Sequence, residues 1–102
     1  MTDPSTISRL MAWYRDQCNG DWEHSFGIRI GTLDNPGWTV DIDLEDTDLE
    51  DRDFATKKIY RSDSDWIFCS KEDKKFSGGG GSDKLEQIIL IFLEWASQGD
   101  TA

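Results

Sequence analysis

The chain has 102 residues, of which 36% are hydrophobic, and its 21 acidic and 11 basic residues give a net charge of −10. This length predicts a single domain, residues 1–102, with a modest core to which five Trp, five Phe and two Tyr residues contribute much of the buried area. The acidic balance argues against two classes of partner, nucleic acids and anionic membrane surfaces, because both are bound through Lys and Arg.

The first predicted element is a helix that begins at Asp3-Pro4 or at Ser5 and ends at Asn19-Gly20. Apolar residues recur along it at helical spacing and predict one buried stripe, which consists of Ile7, Leu10, Met11, Tyr14 and Cys18.

Two half-buried strands follow the helix and predict a β-hairpin. Apolar residues alternate with small, polar or charged ones along both strands: Phe26, Ile28 and Ile30 in the first, and Trp38, Val40, Ile42 and Leu44 in the second. A slip of one residue would bury Asp41 and Asp43, so the apolar faces fix the register.

In that register three pairs of residues lie opposite each other: Ile30 with Val40, Ile28 with Ile42, and Phe26 with Leu44. The loop then contains Leu33 to Gly37, and Arg29 lies opposite Asp41 on a face that we expect to be solvent-exposed.

The sequence patterns between the hairpin and the last helix predict secondary structure less clearly. Thr47 to Glu50 fits a capping box, Phe54 to Arg61 predicts a third strand, and Trp66 to Ser70 predicts a central strand with apolar residues on both faces. The glycine run within Ser77 to Ser82 predicts a flexible loop.

A final helix opens at Asp83 and presents a core stripe, namely Leu85, Ile88, Ile89, Phe92, Leu93 and Ala96. The order predicts an α+β fold, with an antiparallel sheet of about four strands and the N-terminal and C-terminal helices packed on it.

The thiols and the N-terminus bear on the compartment. Cys18 and Cys69 show no CxxC spacing, and residues 1–10 lack the basic and apolar regions of a secretory signal. The longest apolar run, Ile88 to Leu93, has six residues, whereas a membrane span needs about 20. We therefore expect a cytoplasmic protein with reduced thiols that does not associate with a membrane.

The most informative feature is the acidic segment from Asp41 to Asp53. It contains eight acidic residues and one basic residue, Arg52, and so carries −7 of the net charge of −10. One interpretation is a solvated strand face and loop, and the sharper one is a docking surface for a basic protein. The candidate partner-binding residues are Asp41, Asp43, Glu45, Asp46, Asp48, Glu50 and Asp51, with Trp22, Glu23 and Asp34 as secondary candidates.

Calcium binding is a weaker alternative for the same segment. Asp41, Asp43 and Glu45 match the first ligand positions of an EF-hand loop, but Asp46 stands where that loop needs Gly and Arg52 stands where it needs Glu. We predict no bound metal, and a small cation-binding module stays as a rival function.

Catalytic and cofactor motifs are also weak. Cys18 with His24 is a conceivable nucleophile and base, and Glu23 with His24 a conceivable acid–base pair, but adjacent residues on a strand point to opposite faces. The glycine run lacks the Lys and Ser or Thr of a phosphate-binding loop, and Asp83 after it would repel an anion. We therefore predict no catalytic residue and no cofactor, and an enzyme that uses Cys18 and His24 remains the second rival.

The stretch from Trp13 to Leu44, with the strings GDWEH and TLDNPGW, resembles the immunity protein 53 family of bacterial polymorphic toxin systems. The resemblance continues at Thr47 and Leu49, the string DWIFC, the Phe76–glycine segment and the ending LEQIILIFLEWA. It implies a cytoplasmic antitoxin that is encoded beside a secreted or contact-delivered toxin and binds the toxin domain, and it supplies no catalytic residues. Toxins that cut nucleic acid are basic where they hold phosphates, so the expected partner is a cognate, basic toxin domain.

Overall fold

A computed structural model of the chain describes residues 5–98. The elements, in chain order, are α1 (Thr6–Gln17), α2 (Trp22–Ser25), β1 (Ile28–Leu33), β2 (Gly37–Asp43), β3 (Lys57–Tyr60), β4 (Trp66–Glu72), β5 (Lys75–Gly80) and α3 (Leu85–Ser97). The predicted α+β class is confirmed, and the sheet has five strands rather than about four.

All the strands pair antiparallel, in the order β1-β2-β5-β4-β3. The predicted hairpin register is confirmed at three positions, where Ile28 faces Ile42, Ile30 faces Val40 and Arg29 faces Asp41. The hairpin is longer than predicted at its tip, because Leu33 pairs with Gly37 and leaves residues 34–36 as the turn.

At its other end the hairpin is shorter than predicted. Phe26 lies before β1 as the C-cap residue of α2, and its main-chain N–H donates to Trp22 O. The predicted pair of Phe26 with Leu44 is therefore wrong. The ring of Phe26 contacts the indole of Trp22 instead, with 6.2 Å between the ring centroids.

The predicted flexible loop at the glycine run is also wrong, because Gly78, Gly79 and Gly80 belong to β5, between β2 and β4. Helix α3 lies so close to this strand that a Cβ added at Gly78 would come within 2.5 Å of Ile88 Cγ2. A Cβ at Gly80 would lie 2.9 Å from Lys84 Cβ. The run lets a helix approach a central strand and is not a flexible connection.

The core lies between this sheet and the helices. Its fully buried side chains come from β2, β4, β5 and α3 and from the residue after β2, and they are Val40, Ile42, Leu44, Cys69, Phe76, Ile88, Ile89 and Phe92. The ring of Phe92 is central, with centroids 5.2 Å from Phe76 and 5.0 Å from Trp13. The predicted core stripe of the last helix is confirmed at its four buried positions, Ile88, Ile89, Phe92 and Leu93.

Helix α1 begins as predicted at Ser5, whose hydroxyl accepts the Ser8 N–H, while Asp3 and Pro4 lie outside the described residues. Its predicted buried stripe is confirmed at Leu10 and wrong at three positions, because Ile7, Met11 and Tyr14 are 49%, 55% and 38% exposed. Besides Leu10, the helix buries Thr6 and places Trp13 against Phe92. The contact of a large indole with the core sets the rotation of the helix, and the smaller apolar residues are turned outward.

Candidate functional site

The acidic segment after β2 folds back against the first helix. Asp48, Leu49 and Arg52 line a cavity of about 260 Å³ together with Trp13, Asp16, Gln17 and Ala96. The indole N–H of Trp22 donates to Glu45 O over 2.9 Å and ties α2 to the same segment. We call the carboxylates of residues 45–51, together with those of Asp16, Asp21 and Glu23, the acidic end.

Asp16 and Asp21 were absent from the residues selected from the sequence. They join the acidic end through contacts between segments that are far apart in the chain: Asp16 shares the cavity with Asp48, and Asp21 precedes the Trp22 indole that reaches Glu45. The sequence contains no local pattern that predicts such long-range contacts.

The segment has a defined conformation, because several hydrogen bonds hold its main chain. Asp46 has a positive φ of 64°, and its N–H donates to the Glu50 carboxylate over 3.0 Å. Thr47 Oγ1 donates to Leu44 O at 2.7 Å, and the side chain of Leu49 is buried. The predicted capping box is a hydrogen-bonded turn in which Glu50 N–H donates to Thr47 O.

Two basic side chains beside the segment, Arg52 and Lys71, bind main-chain carbonyls. Arg52 Nη1 donates to Trp95 O at 3.0 Å and to Ala96 O at 3.1 Å, at the C-terminal end of α3. Lys71 Nζ donates to the carbonyls of Glu50 and Arg52, at 2.8 and 2.6 Å. These two cations therefore form hydrogen bonds with main-chain carbonyls, and neither forms an ion pair with a carboxylate among the described residues.

Among residues 5–98, no ion pair involves the side chains of Glu45, Asp46, Asp48 or Asp51, and all four residues are exposed. Glu50 differs, because it is half-buried and its carboxylate lies 3.8 Å from Lys74 Nζ. The acidic end thus presents exposed carboxylates to solvent, and four of those between residues 45 and 51 form no ion pair among the described residues.

The prediction that Asp43 faces water is wrong. Its side chain is 13% exposed, and its carboxylate accepts from Gly27 N–H at 3.0 Å and from both terminal nitrogens of Arg29 at 3.1 and 3.2 Å. Burial by itself would raise the pKa of Asp43, but the Arg29 guanidinium and the Gly27 N–H hold this pKa below its ordinary value. Asp43 therefore stabilises the hairpin.

Asp41 lies on the same face of the sheet as Asp43 and is half-buried. Asp41 lies opposite Arg29 in the hairpin, but the Arg29 guanidinium binds Asp43. Asp41 Oδ1 accepts a hydrogen bond from Ser77 Oγ at 3.0 Å instead. The structure therefore separates these two carboxylates, which are tied to side chains of the sheet, from the exposed carboxylates of residues 45–51.

The secondary candidates have different surroundings. Trp22 is buried, with its indole 6.1 Å from that of Trp13 and 6.0 Å from the Tyr14 ring. The Glu23 carboxylate accepts hydrogen bonds from the main-chain N–H groups of Asn19 and Gly20. Hydrogen bonds from main-chain N–H groups, first its own and then those of Asn19 and Gly20, hold the pKa of Glu23 below its ordinary value.

Asp34 lies in the hairpin turn, at the opposite end of β2 from the acidic end. The strand spans Gly37–Asp43, and at about 3.3 Å per residue it separates the turn from the acidic end by roughly 20 Å. The structure thus brings Trp22 and Glu23 to the acidic end and leaves Asp34 remote. Which of the selected residues contact a partner stays a prediction.

The residues considered for metal binding and for catalysis have the following surroundings in the described part of the chain. No group of three or more His, Cys, Asp or Glu side chains among residues 5–98 is placed to hold a metal ion. Cys18 Sγ donates to Tyr14 O at 3.4 Å, and no hydrogen bond joins Cys18 to His24 in this part of the chain. Cys69 is fully buried, and burial raises the pKa of its thiol to about 11.

One of three comparisons with known proteins identifies a family. No curated protein and no solved structure matches the chain. None of the described helices is both long enough and apolar enough to span a membrane. Residues 7–97 match the protein family described as Immunity protein 53, which covers nearly the whole chain and confirms the resemblance seen in the sequence. The chain therefore belongs to the immunity protein 53 family.

Proposed function

We propose that the chain is a non-enzymatic immunity protein that acts in the cytoplasm and neutralises a cognate toxin domain by stoichiometric binding. Membership of the immunity protein 53 family supports the immunity role. The observation that carries the binding mode is the acidic end, where exposed carboxylates sit on a hydrogen-bonded segment while the nearby Arg52 and Lys71 bind carbonyls.

The partner that this surface fits is a toxin domain with a basic active surface. A fixed array of carboxylates attracts such a domain over a distance of about 8–10 Å at physiological salt and accelerates its capture. Fast capture matters for an inhibitor, because a toxin that reaches its target first has already acted. The acidic end would cover the cationic residues with which the toxin holds its own anionic substrate.

The test uses the toxin domain encoded by the gene adjacent to that of this chain. Stopped-flow association is measured between 20 and 300 mM salt for the unmodified chain and for a triple variant, Glu45→Gln/Asp46→Asn/Asp48→Asn. We expect the triple variant to associate about tenfold more slowly at low salt and with a flatter salt dependence. Asn at position 46 tolerates the positive φ of that residue, so the fold should be retained.

A matched control removes the same number of charges elsewhere. The variant Asp63→Asn/Asp83→Asn/Glu94→Gln changes three exposed acids outside the acidic end. It should slow association by less than about threefold. If both variants slowed association equally, the association rate would depend on net charge alone, and a role for this particular surface would be contradicted.

A separate variant distinguishes binding from catalysis. Cys18→Ser removes the thiol that an enzyme with Cys18 and His24 would need as its nucleophile. Cells that express this variant should stay protected from the toxin domain, because Cys18 lies outside the acidic end. Loss of protection by a folded Cys18→Ser variant would favour the enzyme.

A further inference from the structure

A second surface lies beside the edge strand β1. Leu10, Met11 and Tyr14 of α1 form a groove of about 330 Å³ with Gly27 and Ile28. Two exposed apolar side chains continue these faces: Ile7 lies on the same face of α1 as Leu10 and Met11, and Ile30 lies on the same face of β1 as Ile28. The exposed stripe of α1 and the inner face of β1 thus form one continuous apolar surface.

The two edges of the sheet differ in how they are protected against pairing. Strand β3 has four residues, of which Lys57 and Lys58 are exposed charges that hinder the addition of another strand. Strand β1 has six residues and contains neither Lys nor Pro. Its one charged side chain, Arg29, is held by Asp43. The β1 edge therefore lacks the features that would block a further strand.

The main-chain groups of β1 are oriented for such an addition. Asp43 N–H donates to Gly27 O, so the hydrogen bonds to β2 fall on Gly27 and on alternate residues after it. The N–H and C=O groups of Ile28, Ile30 and Thr32 then point to the free edge. Their side chains lie on the face of the sheet that holds Val40 and Ile42, which is the face towards α1 and α3.

The charges at the rim of the groove limit the chemistry of an occupant. Glu23 follows Trp22, whose indole contacts the Tyr14 ring, near one end, and Glu86, which accepts the Thr6 hydroxyl, borders Ile7 near the other. Arg15 follows Tyr14 on α1 and is the base beside the stripe. The rim is therefore negative overall, and a second copy of this chain, with its own net charge of −10, is a poor occupant.

We propose that β1 and this groove bind an extended segment of the toxin domain, which adds to the sheet as a sixth strand beside β1. The segment has alternating apolar residues that enter the groove towards Met11 and basic residues near its ends that meet Glu23 and Glu86. This inference rests on the proposed function and deepens it, because it names the shape and chemistry of the partner segment.

Two measurements on the complex of the full chain with the adjacent-gene toxin domain test the proposal. The first is amide hydrogen exchange, in which the N–H groups of Ile30 and Thr32 should exchange at least about tenfold more slowly in the complex. The amides of β3 should not change. The second is the affinity of the Ile30→Lys variant, which should fall by about tenfold or more because a charge enters the apolar groove.

The matched control is Tyr60→Lys, which adds the same charge to an exposed residue of the other edge strand and should leave the affinity within about threefold. Tight binding by the unmodified chain, with unchanged β1 exchange and unchanged affinity of Ile30→Lys, would overturn this inference and leave the proposed function standing. No binding by the unmodified chain would overturn both. Protection of β1 amides at high concentration without toxin would identify a second copy as the occupant and would overturn this inference alone.

Discussion

The contact between β5 and α3 gives the sharpest prediction about stability. Substitution of Gly78 by Ala places a Cβ 2.5 Å from Ile88 Cγ2, 3.3 Å from Phe76 Cε1 and 3.5 Å from Cys69 Sγ. Ile88, Phe76 and Cys69 are all fully buried, so the added methyl group cannot move into solvent. The helix must shift away from the sheet, or side chains must leave their preferred rotamers.

Overpacking of this kind costs about 1–3 kcal/mol of unfolding free energy. In a domain of this size, 1 kcal/mol corresponds to about 4–8 °C in Tm. The neighbouring residue supplies a matched control, because a Cβ at Gly79 points to the other face of the sheet, where its nearest contact is Trp66 Cζ3 at 3.6 Å. Gly79→Ala should therefore be neutral or stabilising by up to about 1 kcal/mol, since Ala restricts the unfolded chain.

Urea unfolding monitored by tryptophan fluorescence measures both variants, and a third variant identifies the cause. Ile88→Ala removes the methyl group that Gly78→Ala would meet and is destabilising alone by about 2–5 kcal/mol. The double variant should be less destabilised than the sum of the two single variants by about 0.5–3 kcal/mol. Equal stability of Gly78→Ala and Gly79→Ala, or additive effects in the double variant, would refute the proposed reason for the glycine run.

Two further predictions concern titratable groups. Asp43→Asn should lower the unfolding free energy at pH 7 by about 1–3 kcal/mol, because it weakens the hydrogen bonds to Arg29. Folding lowers the pKa of Asp43, so its contribution to the unfolding free energy is present above the unfolded pKa of about 3.9 and is lost as the pH falls through the lower folded value. The unfolding free energies of the unmodified chain and of Asp43→Asn, measured by urea titration, should therefore converge in acid. The thiol of Cys69, buried with a pKa raised to about 11, should not react with a thiol reagent at pH 8 until the protein unfolds, and reaction of both thiols at equal rates in the native protein would contradict its burial.

The hairpin could be predicted from the sequence because its determinants are local. Apolar alternation in both strands and the cost of burying Asp41 leave a single register, and Ile28 and Ile30 pair as that argument requires. Alternation wrongly places Asp43 in water, although its side chain is only 13% exposed. Alternation assigns a residue to a face of the sheet, but it does not indicate whether a neighbour such as Arg29 covers that face.

The strand β5 could not be predicted, because its three glycines have no side chains and so show no alternation of apolar and polar residues. Their role depends on the distance between β5 and α3, which is set by residues ten positions away such as Ile88. The rotation of α1 was missed for a related reason. Helical spacing identified a stripe through Met11, while the packing of Trp13 on Phe92 decided which side of the helix is buried.

The charge of the acidic segment could be counted from the sequence, but its availability depends on where the cations bind. Arg52 stands between Asp51 and Asp53 in the chain, so a local reading assigns it to those carboxylates. It extends instead to the carbonyls of Trp95 and Ala96, where the negative end of the α3 dipole favours a guanidinium. Surface ion pairs are screened by solvent and worth little, so the hydrogen bonds to the helix end take precedence, and Arg52 forms no ion pair with Asp51 or Asp53 among the described residues. The same hydrogen bonds therefore stabilise the end of the last helix and leave Asp51 exposed without an ion pair to its neighbour Arg52.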